Sequence, residues 1–129
     1  ITFTAPPNLQ EAIAYAYEKP DSYYKNLRDL FQNKRDLIYN LFQNYGIKAS
    51  LPESTYFINI DYENKYPDME PEKFSLELIK NANVTGIPIS VFYDKNTEKK
   101  AVSKLIRLCF AKNDKILTKA AHQIGDYLN

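Results

Sequence analysis

At Gly46 the apolar period of this sequence changes, and no other feature constrains its fold as much. Before it, Tyr23, Tyr24, Leu27, Leu30, Phe31, Leu37, Ile38, Leu41, Phe42 and Tyr45 recur at the i, i+3, i+4 spacing of one helical face. Pro20 stops any preceding helix, Asp21 or Ser22 can cap a new one, and Gly46 suits the left-handed residue that ends it. The helix so predicted is about 37 Å long at 1.5 Å per residue, more than a small domain needs for itself, so it is expected to bridge two parts of a larger protein. After Gly46 the pattern alternates. Residues 47–51 and 56–60 predict two strands around a turn at Pro52-Glu53-Ser54. Tyr56, Ile58 and Ile60 then share one face, and Phe57 and Asn59 the other.

The flanking segments complete the pattern. Pro6 and Pro7 break the opening stretch, and Asn8 is placed to cap a helix through residue 18, with Leu9, Ala12, Ile13, Ala16 and Tyr17 on one side. Residues 62–69 are polar and contain proline, as a loop would. Glu70-Pro71 opens a helix with Phe74, Leu78, Ile79 and Ala82 inward. A short connection or strand follows over 83–90, with Gly86 and Pro88, and residues 94–100 form a charged, mobile loop. Residues 105–110 read as a strand. Asn113 or Asp114 caps a last helix to residue 128, with Ile116, Leu117, Ala120, Ala121, Ile124 and Leu128 inward. This order predicts an α+β fold: a small, mostly antiparallel sheet packed against helices on one face, preceded by the long interdomain helix.

Composition narrows the function classes. A chain of 129 residues, 44% of them hydrophobic, can close a core. A net charge of +1 from interspersed acids and bases makes no electrostatic case for nucleic acid or membrane as partner. Cys109 is the only cysteine, so no internal disulfide can form. It is expected to be buried and inert, and a single cysteine points to a reducing compartment or to indifference. The expected location is cytoplasmic, with mitochondrial as the alternative. His122 has no second His or Cys to make a metal site. With three glycines there is no Gly-rich phosphate loop. Asn83-Val84-Thr85 fits the glycosylation pattern and is read as a chance match. The sequence begins at Ile1 without an initiator Met, which suggests a piece of something longer.

The residue that bears on function is Arg107. It sits in Leu105-Ile106-Arg107-Leu108-Cys109-Phe110, a stretch otherwise apolar. Alternation puts Ile106, Leu108 and Phe110 on one face and Leu105, Arg107 and Cys109 on the other. A guanidinium stays charged, and burying it unpaired costs on the order of several kcal/mol. Something anionic must meet it unless it reaches water. A planar carboxylate could do so through two parallel charge-assisted hydrogen bonds. Position alone favours the plainer reading, a structural ion pair with Asp61, Glu63 or another acid.

Taken together, ITFTAPPNLQEAIA, YYKNLRDLFQNKRDLIYNLFQNYGIK, LPESTYFINIDY, VTGIPISVFY and LIRLCFAKND resemble, in that order, the C-terminal part of the fold-type I pyridoxal-phosphate aminotransferases. The resemblance is strongest to the kynurenine/glutamine/methionine aminotransferase group. It implies that residues 1–45 are interdomain helices and 46–129 the small α+β domain. It implies that Arg107 grips the substrate α-carboxylate, that Phe57 lines the side-chain pocket, and that Phe3 reaches across a homodimer interface. The full-length protein would move an amino group from an amino acid to a 2-oxo acid. The family's Schiff-base lysine and its cofactor-binding residues lie upstream, so this chain holds no catalytic and no cofactor-binding residue and is expected to be inactive alone. Ser54 stands where the family usually has Gly, and Leu108 where it often has Phe. Two alternatives remain: a non-catalytic interaction module, which would bury Arg107 in a protein salt bridge, and another pyridoxal-phosphate reaction, such as carbon–sulfur lysis or acyl transfer, on the same scaffold.

Overall fold

The computed structural model describes residues 5–94 and 104–129. Along these the elements are α1 (Pro7–Tyr17), α2 (Asp21–Asn44), β1 (Lys48–Ser50), β2 (Phe57–Asp61), α3 (Pro71–Ala82), β3 (Ile87–Pro88), a 3-10 turn (Ile89–Phe92), β4 (Leu105–Cys109) and α4 (Asp114–Leu128). The expected charged loop falls mostly on residues 95–100, outside the described residues. No described helix is long and apolar enough to cross a membrane.

The chain forms two compact units, residues 1–30 and 31–129. The first holds α1 and the start of α2. Its α1 opens with Pro7 in the first helical turn behind Pro6, with no side-chain cap, so Asn8 is not the cap expected of it. Proline needs none there, because its φ is already helical and it has no N–H to satisfy. α1 buries no residue. The Tyr24 hydroxyl donates to the Ala16 carbonyl, and Lys19 Nζ donates to the Tyr15 hydroxyl at 2.7 Å. The apolar stripe of α2 divides in the same way. Tyr23, Tyr24, Leu27 and Leu30 are exposed, while Ile38 and Phe42 are buried.

The second unit is the α+β domain. Its sheet has the order β1-β2-β4-β3, with every pairing antiparallel. Ile58 lies opposite Leu108, and Ile60 opposite Ile106. These four, with Phe110, form the inner face, and all are buried. Against them lie Ile38 and Phe42 of α2, Phe74 and Leu78 of α3, and Leu117, Ala121, Ile124 and Leu128 of α4. Tyr62 stacks on Phe74 at a centroid distance of 3.8 Å and donates to the Met69 carbonyl. Burial of its phenol pushes the pKa well above the usual tyrosine value.

The helix ends follow local chemistry. Gly46 has φ +67°, as a helix-terminating residue should. Asn83, read from sequence only as a chance glycosylation match, takes φ 51° and ends α3. Asn113 caps α4, its side-chain oxygen accepting from the Ile116 N–H at 2.9 Å. Gly125 serves packing: a Cβ there would lie 2.3 Å from the Tyr45 ring.

Some expected core positions are on the surface. Ile79 and Ile116 are 43% and 50% exposed, because each adjoins a buried leucine and lies about 100° further round its helix. Tyr56 is exposed because the strand starts one residue later, at Phe57, after Thr55 at φ 69°. Cys109 is exposed rather than buried, since β4 turns its alternate residues away from the helices.

Candidate functional site

The outer face of the sheet carries Phe57, Asn59, Arg107 and Cys109, as alternation requires. Arg107 occupies β4, with Asn59 of β2 directly opposite on one side and Ile87 of β3 on the other. Its guanidinium carbon lies 4.2 Å from the centroid of the Phe57 ring and 4.1 Å from that of Phe92. Both distances fall within cation–π range, where each contact contributes about 0.5–1 kcal/mol when exposed and about 2 when desolvated. Arg107 Nε is buried and has no hydrogen-bond partner among the described residues.

The acid first considered as its partner is engaged elsewhere. Asp61 pairs with Lys48 at 2.6 Å and accepts from the Glu63 N–H at 2.9 Å. That hydrogen bond to Asp61, backed by its charge, holds the Lys48 ammonium pKa above the ordinary lysine value. Among the described residues no acid pairs with Arg107. A permanent cation therefore stands against two π faces, with no carboxylate in ion-pair contact among the described residues. Such a group can receive a carboxylate or another planar anion.

The turn before β2 helps to place Phe57. Its positive φ falls at Thr55, one residue beyond Ser54, and for a β-branched residue that backbone is strained. Thr55 Oγ1 accepts from the Phe57 N–H at 3.4 Å, which ties the strained residue to the start of the strand. Of the residues singled out from sequence, the structure brings Phe57 and Arg107 together. Phe3 lies outside the described residues. His122, exposed on α4, is hydrogen-bonded to the Tyr45 hydroxyl and takes no part. Phe92 was missed. It follows the short β3 strand, and no periodicity marks an aromatic in such a segment as facing a residue on the next strand.

Fold and site together define a small α+β domain that holds a half-buried guanidinium, flanked by aromatic rings, on the outer face of its sheet. The chain belongs to the class I and II aminotransferases, whose family model matches residues 2–124. Kynurenine–oxoglutarate transaminase 3 of Bos taurus is 31% identical over 134 residues, covering 92% of this chain and 29% of that protein. The N-succinyldiaminopimelate aminotransferase of Mycobacterium tuberculosis matches with a TM-score of 0.79 at 25% identity, over 91% of this chain and 29% of that one. YbdL of Escherichia coli, identified as having a methionine aminotransferase function, matches with a TM-score of 0.70 at 33% identity, over 81% of this chain and 26% of that one. The chain thus spans under a third of the length of these relatives.

Proposed function

We propose that this chain is the substrate-carboxylate-binding small domain of a pyridoxal-phosphate-dependent aminotransferase that moves an amino group from an amino acid to a 2-oxo acid. The observation that carries this reading is Arg107, charged, flanked by Phe57 and Phe92, and without an acidic partner among the described residues. Arg107 receives the α-carboxylate through paired hydrogen bonds and fixes the substrate's orientation, a proximity contribution to the reaction. Amino donor and oxo-acid acceptor each carry a carboxylate, so one arginine serves both. Phe57 borders the substrate side chain. The α1–α2 helical segment links this domain to the rest of the enzyme, which acts as a homodimer.

The described residues do not fit the cofactor itself. The outer face offers one guanidinium between phenyl rings and, in Lys48, an amine tied to Asp61. That is neither a phosphate cradle nor a lysine free to condense with an aldehyde. The cofactor and its lysine are therefore assigned to the remainder of the full-length protein. Mixed with pyridoxal phosphate and passed through gel filtration, this chain is expected to elute without a cofactor absorbance band and without transaminase activity. A retained band would overturn the assignment.

The function is tested in the full-length enzyme. Arg107→Ala is expected to lower kcat/KM for amino acid and oxo acid alike, by about 2–5 kcal/mol of transition-state binding. Unchanged kinetics would return Arg107 to a structural role.

A further inference from the structure

We infer that Phe92 is a positioning residue for Arg107: with Phe57 it clamps the guanidinium between two rings, so that the carboxylate meets a cation already held in place. This rests on the reading of Arg107 as the carboxylate-binding group.

The geometry is two-sided. Phe57 comes from β2 and Phe92 from the turn after β3, the two strands that flank β4. Their ring centroids stand at nearly equal distances, 4.2 and 4.1 Å, from the guanidinium carbon. Burial in a core does not explain Phe92, because the residue is more than half exposed and is absent from the core cluster. Its described ring contact is with Arg107. An exposed phenyl ring gains little from water, but beside a cation its negative π face gains electrostatic attraction.

The buried Nε points the same way. A donor shut away from water with no described partner is unfavourable, so the side chain is held in this pose by something else. Contact with both rings, at 4.2 and 4.1 Å, supplies that hold. An arginine free to sample its rotamers would have to be ordered at each binding event. One already clamped loses less entropy and binds more tightly.

The test is made on the full-length holoenzyme. Phe92→Leu keeps an apolar side chain but removes the ring, and Phe92→Tyr keeps the ring. Two readouts are taken: KM and kcat for amino donor and oxo acid, and the rate at which phenylglyoxal labels Arg107, followed by peptide mass spectrometry. Phe92→Leu is expected to raise both KM values about tenfold, to leave kcat within about threefold, and to speed labelling of Arg107 by at least about threefold. Phe92→Tyr should restore all three. Unchanged KM or unchanged labelling in Phe92→Leu overturns the inference, as does Phe92→Tyr behaving like Phe92→Leu. Arg107→Lys separates the two levels. If it raises KM while Phe92→Leu does not, only the clamp fails. If Arg107→Lys leaves KM unchanged, the carboxylate reading fails and the clamp's role fails with it.

Discussion

Along β4, Ile106 and Leu108 are 0% and 7% exposed against the helices, while Arg107 between them faces the other way and meets Phe57 and Phe92. The two faces of the sheet are made from alternate residues of the same strands, yet they are held by different forces. The inner face is filled by Ile58, Ile60, Ile106, Leu108 and Phe110 against three helices, and there volume decides what is tolerated. The outer face is organised around one charge. There the direction of a guanidinium and the faces of two rings matter more than volume. A strand can thus serve stability on one side and recognition on the other without conflict, because the pleat isolates neighbouring residues.

The sharpest way to break that contrast is to exchange the effects. Phe110→Ala on the inner face is expected to lower unfolding stability by about 3–5 kcal/mol through lost burial and a cavity, measured by urea denaturation. Arg107→Leu on the outer face should cost less than about 1 kcal/mol of stability in the same measurement, since replacing a stacked, unpaired cation with an apolar group loses little packing. Equal losses from the two substitutions would abolish the distinction between the faces. Behind the inner face, Gly125→Ala should cost about 1–3 kcal/mol despite alanine's better helix propensity, because its Cβ would meet the Tyr45 ring. Relief of that cost in Gly125→Ala/Tyr45→Ala, relative to Tyr45→Ala alone, would identify the clash as its cause.

The smallest expected effect is a pH dependence. Burial, helped by a hydrogen bond with Tyr66, pushes the Tyr127 phenol from 10.0 up to about 12. Between those values the unfolded chain has lost this proton and the folded one keeps it. Stability is therefore fully present below pH 10 and falls as pH rises towards 12. Tyr62 is shifted in the same direction. The denaturation midpoint should fall less steeply over that window in Tyr127→Phe than in the parent chain. Identical slopes would show that Tyr127 carries none of the alkaline loss.

Much of the inner face was legible in the sequence. Ile58, Ile60, Ile106, Leu108 and Phe110 are read from alternation, and Phe74, Leu78, Leu117 and Ile124 from helical spacing. Gly46 and Asn113 mark helix ends by chemistry that acts within a few residues. The misreadings lie where periodicity needs an exact phase. Ile79 and Ile116 sit at the border of their stripes, and Tyr56 lies one residue before its strand. The outer face was only half legible. Its membership follows from alternation, but Cys109 was expected to be buried and Phe92 was not anticipated.

The sequence by itself determined the α+β class, the helix ends at Gly46 and Asn113, the apolar face of each central strand and the presence of a fixed charge on the opposite one. These follow from short-range spacing, and an inward residue needs only to be apolar, whatever it meets. Tertiary structure alone decided what surrounds Arg107. The strand order β1-β2-β4-β3 brings β2 and the turn after β3 to the two sides of β4, while Asp61 at the far end of β2 is drawn to Lys48. Which ring or acid meets a given charge depends on strands joined across long stretches of chain, and no local period encodes that.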